Sequence, residues 1–182
     1  MRPMKRHSRG FTLIELMVSI FVLGILTALA VPSFVGMMNR NRLASQSNEL
    51  LAAVQYARIE AIRTNAKVTF CGAATATVSA VSGCANGTQS YWVVLGKSGG
   101  VEQQLRVFKV KDPMTVSTTL SKISFGADGL ARDATTKALV TGVITVCMAT
   151  TNPAQNKRVL NISSGSKVII TTPTEDGGGV CS

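Results

Sequence analysis

Four cysteines, Cys71, Cys84, Cys147 and Cys181, are the most reactive side chains in this sequence of 182 residues. None stands in a C-x-x-C pair, and the single histidine, His7, lies in a basic N-terminal stretch. Zinc sites draw on Cys and His clustered at short spacing, so no metal and no cofactor is expected. An even number of cysteines spread through a domain points instead to two disulfides and to an oxidising compartment. Local order favours Cys71 with Cys84 and Cys147 with Cys181, although four cysteines allow three pairings.

Other chemistry is excluded residue by residue. Asp128 and Asp133 flank a turn without the oxygen-rich loop that calcium needs. Gly96-Lys97-Ser98 resembles the end of a phosphate-binding loop, but Tyr91 stands where that loop requires its first glycine. A turn through residues 96–100 is expected instead. Beyond residue 10 there is no histidine, which removes the usual base of a nucleophilic triad and the H-E-x-x-H zinc site. Gly177-Gly178-Gly179 has no lysine and reads as a tail tied down by Cys181. No catalytic constellation is left, so the chain is expected not to be an enzyme.

One carboxylate lies where charge is costly. Residues 11–31 form an apolar run of 21 positions whose only charge is Glu15. As a helix it is about 30 Å long, the thickness of a hydrocarbon core. A carboxylate inside such a span usually marks function. Arg2, Lys5, Arg6 and Arg9 precede the run, and no positive charge follows until Arg40 and Arg42. This asymmetry predicts a cytoplasmic N-terminus with the remainder across the membrane. The four leader cations also account for part of the net charge of +10 (19 Lys+Arg against 9 Asp+Glu). Without them 15 basic residues face 9 acidic ones, an excess of six that permits an anionic partner without requiring one. Ala28-Leu29-Ala30 offers the rival reading of a secretory signal with a mature start at Val31, which the length of the run and the embedded Glu15 disfavour.

The segment Arg9-Gly10-Phe11-Thr12-Leu13-Ile14-Glu15-Leu16 resembles the class III signal of type IV prepilins and pseudopilins. The resemblance implies cleavage by a prepilin peptidase between Gly10 and Phe11 and N-methylation of Phe11. It also implies that Glu15 pairs with the terminal amine of a neighbouring subunit during assembly, and it makes Pro32 the helix-distorting proline common in pilins. A buried carboxylate becomes tolerable when another subunit supplies a cation, which couples extraction from the membrane to assembly.

Past Pro32 the helical pattern continues to about Asn65, with Leu43, Ser47, Leu50, Val54, Ala57 and Ala61 forming one stripe. Glu49, Glu60 and Arg63 are expected away from the stripe, and Tyr56 and Ile59 on the opposite side, facing other subunits. From Lys67 the pattern turns to strands, expected at 68–71, 90–95, 104–110, 143–148, 157–162 and 167–171. Turn signals separate them: Asn86-Gly87, the run from Gly96 to Gly100, Asp128-Gly129 and Ser163-Ser164-Gly165. The last joins two strands in an expected hairpin. No long helix recurs, so a parallel α/β sheet is excluded. The expectation is an α+β, pilin-like fold, with a long N-terminal helix packed on antiparallel β-sheet. Residues 1–10 are read as leader, 11–65 as helix spanning the membrane over 11–31, and 66–182 as a periplasmic β-rich domain.

The stretch from Leu50 to Arg63, with Asn65, Val68 and Cys71, resembles the GspH/FimT family, as do Phe125-Gly126-Ala127-Asp128-Gly129, Val146-Cys147 and Arg158-Val159-Leu160-Asn161-Ile162-Ser163. The resemblance implies a minor type IV pilin acting in pilus initiation near the tip. Minor pseudopilins of type II secretion and DNA-binding pilins of natural transformation are the family's alternatives. The implied partners are the prepilin peptidase, other major and minor pilins, and the inner membrane. DNA-binding members carry a C-terminal G-R-x-R motif; here Gly165-Ser166-Lys167-Val168 aligns with it and both arginines are replaced. Lys157, Arg158 and Lys167 are expected to cluster around the hairpin, allowing at most weak, non-specific DNA binding.

Overall fold

The computed structural model describes residues 10–120, 122–133, 136–163, 167–173 and 179–181. The basic leader and residues 164–166 of the expected hairpin turn lie outside them. The chain divides into two compact units between Met38 and Asn39. One helix, α1 (Leu13–Thr64), contributes to both.

In the first unit α1 begins with Thr12, whose Oγ1 accepts the Glu15 N–H at 3.3 Å while its carbonyl accepts the Leu16 N–H at 3.2 Å. This satisfies donors that a helix N-terminus otherwise leaves open. The run beyond is exposed in the isolated chain: Phe21 is 70% exposed and Leu26 59%. An 18-residue window here has mean hydropathy 2.5 and is long and apolar enough to cross a membrane. Its hydroxyls are satisfied internally. Ser19 Oγ donates to the Glu15 carbonyl at 2.7 Å, and Thr27 Oγ1 donates to the carbonyls of Leu23 and Gly24. A span in lipid requires this internal satisfaction.

In the second unit, residues 39–64 of α1 bury the stripe read from the sequence. Leu43, Ser47, Leu50, Val54, Ala57 and Ala61 are all at most 1% exposed. Ala53, Ala57 and Ala61 let the sheets approach closely, and each buried leucine contributes roughly 2 kcal/mol. The helix ends where Asn65 turns to φ 50°. The Ala66 N–H reaches the Ala61 carbonyl and the Asn65 N–H the Ile62 carbonyl, closing the last turn in a Schellman pattern.

Among the described residues nine strands follow, in two antiparallel sheets. β1 (Val68–Ala73), β2 (Tyr91–Ser98), β3 (Val101–Lys109), β5 (Ile123–Phe125) and β6 (Ala131–Asp133) form the first, in the order β3-β2-β1-β5-β6. β4 (Met114–Thr118), β7 (Gly142–Met148), β8 (Lys157–Ser163) and β9 (Lys167–Thr171) form the second, in the order β4-β7-β8-β9. One core joins α1 to both: Phe70, Trp92 and Val94 from the first sheet, Val116, Ile144, Val146, Leu160 and Ile162 from the second. Phe70 and Trp92 stack with ring centres 5.2 Å apart.

Several expectations are corrected. β4, β5 and β6 are additional strands, and the antiparallel strands divide between two sheets. Gly96, Lys97 and Ser98 belong to β2, paired with Gln103, Glu102 and Val101, so only Gly99-Gly100 make the turn. Both have positive φ, 60° and 84°, as a two-residue hairpin turn requires. Gly96 is required by packing, since a Cβ there would lie 2.6 Å from Leu105 Cδ1. Tyr56 does not face away: it packs against the core, with the Arg106 guanidinium 5.2 Å above its ring. Glu60 is buried at the stripe's edge, where Arg63 donates to both its carboxylate oxygens. Ile59 does project outward, 61% exposed.

Candidate functional site

Gly10 and Phe11 precede the first turn of α1, and Phe11 is 81% exposed. Gly10 and the uncovered Phe11 stand outside the helix, where a protease cleft can approach them. Glu15 lies one turn in, at the third helical position, where the positive end of the helix dipole favours a carboxylate. Its main-chain N–H is already held by Thr12, so a T-x-x-E capping arrangement positions it.

Both disulfides lie in the second unit. Cys71 bonds Cys84, and Cys147 bonds Cys181, each with 5.7 Å between Cα atoms. The first closes a loop that two β3 side chains hold. Gln104 Oε1 accepts the Val78 N–H at 2.8 Å and its Nε2 donates to the Ala76 carbonyl at 3.0 Å, while Glu102 Oε2 accepts the Val81 N–H at 3.2 Å. The second fastens the C-terminal segment to β7, helped by the Gly179 N–H on the Thr150 carbonyl.

The expected hairpin exists as β8 and β9, in register Ser163↔Lys167 to Val159↔Thr171. It does not gather the three cations. Lys167 pairs with Ser163, whereas Lys157 and Arg158 begin β8 six and five positions before Ser163, about 20 and 17 Å away at strand rise. Alternation also parts the neighbours: Arg158 shares the face of the buried Leu160 and Ile162, while Lys157 and Lys167 lie on the other. The Arg158 guanidinium donates from Nη1 to the carbonyls of Lys157 (2.8 Å) and Gln155 (3.5 Å). Burial, then the nearby charge of Arg40, lowers its pKa from the ordinary arginine value. Arg40 is the residue that sequence reasoning missed here; its only signal was its place just after the apolar run.

A groove of about 260 Å³ opens beside Lys67, Lys97 and Glu102. Burial, and next the charge of Lys137, lowers the Lys67 ammonium pKa. Among the described residues no three Cys, His, Asp or Glu side chains come together as metal ligands.

Comparison with known proteins accords with this geometry. The family of the type II transport protein GspH matches residues 46–166, and the prokaryotic N-terminal methylation motif matches residues 5–31. No curated protein matches the sequence. Two crystal structures of the type IV minor pilin FimU from Pseudomonas aeruginosa strain PAO1 are similar at 20% identity. The P21 form gives a TM-score of 0.51 over 74% of this chain and 95% of that one, a likeness of fold alone. The P65 form gives 0.49 over 72% and 98%. The GspH match spans more than half of the sequence and runs through β8, so the chain belongs to the GspH family of pilin-like subunits, which are structural proteins and not enzymes.

Proposed function

We propose that the chain is a minor type IV pilin, cut between Gly10 and Phe11, methylated on Phe11 and built into a filament through Glu15. The observation that carries this reading is the start of α1. An exposed Gly10-Phe11 junction and a capped Glu15 open an apolar helix that continues into a GspH-family domain. Before assembly the helix anchors the chain in the inner membrane, with the disulfide-bonded unit on the periplasmic side. In the filament that unit acts at the initiating tip.

Mass spectrometry of protein from the native host tests the processing step. A chain starting at methylated Phe11 is expected, and a start at Val31 would overturn the reading. Glu15→Ala should still be inserted and cut, since losing a charge eases membrane residence, yet incorporate poorly into sheared filaments. Deleting the gene distinguishes the filaments: lost pili with intact protein secretion support the pilin. Lost secretion with intact pili would make the chain a pseudopilin.

A further inference from the structure

The start of the second unit carries an arginine cluster that the fold does not neutralise. The Asn39–Asn152 contact brings the connection that leads into Arg158 onto the helix beside Arg40, whose charge is felt at Arg158, whereas Arg42 lies about 200° further round α1. Among the described residues, neither Arg40 nor Arg158 forms an ion pair with a carboxylate. The geometry is held from both sides. Asn39 Nδ2 donates to the Asn152 carbonyl at 2.8 Å, drawing the β7–β8 connection onto the helix. Arg158 Nη1 is committed to two carbonyls, which fixes the guanidinium plane and leaves Nε and Nη2 available.

The position of the cluster along the chain identifies the ligand. Residues 11–38 contain no charge but Glu15; the 26 helical residues from 13 to 38 span about 39 Å, and Arg40 lies about 3 Å further on. A bilayer including both headgroup layers is about 40–45 Å thick. Arg40 and Arg42 therefore follow the apolar run at the depth of lipid phosphates, and guanidinium forks suit phosphate oxygens.

We propose that Arg40 and Arg158 form a phospholipid-headgroup site that seats the second unit on the anionic membrane surface before assembly. This rests on the membrane-anchored reading above. Each cation at an anionic surface raises occupancy of the seated state about fivefold. Entering a filament removes the subunit from these headgroups, so the site favours the membrane-resident state until a neighbouring subunit replaces it.

Hydrogen exchange on the full chain in nanodiscs tests this, comparing pure phosphatidylcholine with a phosphatidylglycerol mixture. Segments 39–44 and 152–158 should exchange several-fold more slowly in the anionic discs, and high salt should erase the difference. Arg40→Gln with Arg158→Gln should also erase it, while Lys167→Gln, at the far end of the hairpin, should not. Equal exchange of the wild-type chain in both lipids, with residues 13–31 protected, would overturn this site alone. Unprotected residues 13–31 would overturn the membrane-anchored reading and the site with it. Equal protection by inorganic phosphate in phosphatidylcholine discs would identify a free-phosphate site and overturn the lipid assignment. So would protection by duplex DNA without any lipid effect.

Discussion

Asn39 Nδ2 donates a hydrogen bond to the main-chain carbonyl of Asn152, 113 residues later in the chain, at 2.8 Å. The bond joins the first helical residue of the second unit to the connection between β7 and β8. Asn156 completes that connection: it is fully buried, and its Nδ2 donates to the Met148 carbonyl at 2.9 Å. These two asparagines carry Arg158 to Arg40, which no spacing in the sequence would have indicated.

The stripe on α1 makes a sharp stability prediction. Leu50 is fully buried and Ile59, two and a half turns further on, is 61% exposed. Leu50→Ala should cost about 2–5 kcal/mol through lost transfer energy and a cavity. Ile59→Ala should change the monomer by less than about 0.5 kcal/mol. Chemical denaturation of both variants in one detergent checks this, and equal losses would show that the stripe is misassigned.

What was legible in the sequence followed from repetition. The stripe recurs at three and four residues over six positions, and each of the six is buried. The longer strands were legible from β-branched and aromatic residues between turn signals, and β9 has the bounds expected of it. The start of the span was legible because Gly10, Phe11 and Glu15 form a dense local motif. β4, β5 and β6 are three to five residues long, too short to show a period, and Ser and Thr occupy much of β4. Tyr56 and Glu60 were misread because partners in distant sequence, or a local ion pair, covered them: Arg106 over the ring and Arg63 on the carboxylate. The basic hairpin was misread because nearness in a two-strand motif is not nearness in space.

The two disulfides should differ in value. They link residues 13 and 34 positions apart. Loop-closure entropy gives about 3 kcal/mol for the shorter and about 4 kcal/mol for the longer. Cys147→Ser with Cys181→Ser should therefore lower stability by roughly 1 kcal/mol more than Cys71→Ser with Cys84→Ser. Equilibrium unfolding of the two variants measures the order, and a reversed order would show that Gln104 and Glu102 depend on the shorter staple to hold their loop.

Asp128 supplies a pH-dependent contact. Arg132 donates to both its carboxylate oxygens at 3.0 and 2.7 Å, and the Leu130 N–H reaches Oδ1 at 3.1 Å. These bonds, the arginine's foremost, lower its pKa from 3.8 to about 2. A depressed folded pKa stabilises above the unfolded value, so this contribution is complete above pH 3.8 and is lost as pH falls towards 2. Arg132→Gln should move the titration back towards 3.8, short of it while the Leu130 bond remains. Carboxyl NMR titration reads this directly. An unmoved midpoint would mean that the backbone bond, not the guanidinium, holds the charge.

DNA binding is limited by where β8 and β9 place their cations. Lys157 and Lys167 share one face about 20 Å apart, while Arg158 lies on the other with Nη1 already bonded. A duplex laid on the hairpin thus meets two cations. Two phosphate contacts give a salt slope of about −1.8, a loss of about twelvefold between 50 and 200 mM salt. A steeper slope, near −2.7, would need all three. Binding to the full chain in nanodiscs should therefore be weak and independent of sequence. It should disappear in Lys157→Ala with Lys167→Ala and change little in Arg158→Ala. A steep slope that flattens with Arg158→Ala would show that this arginine leaves its carbonyls to take a phosphate, and would move the nucleic-acid contact to the Arg40 end of the unit.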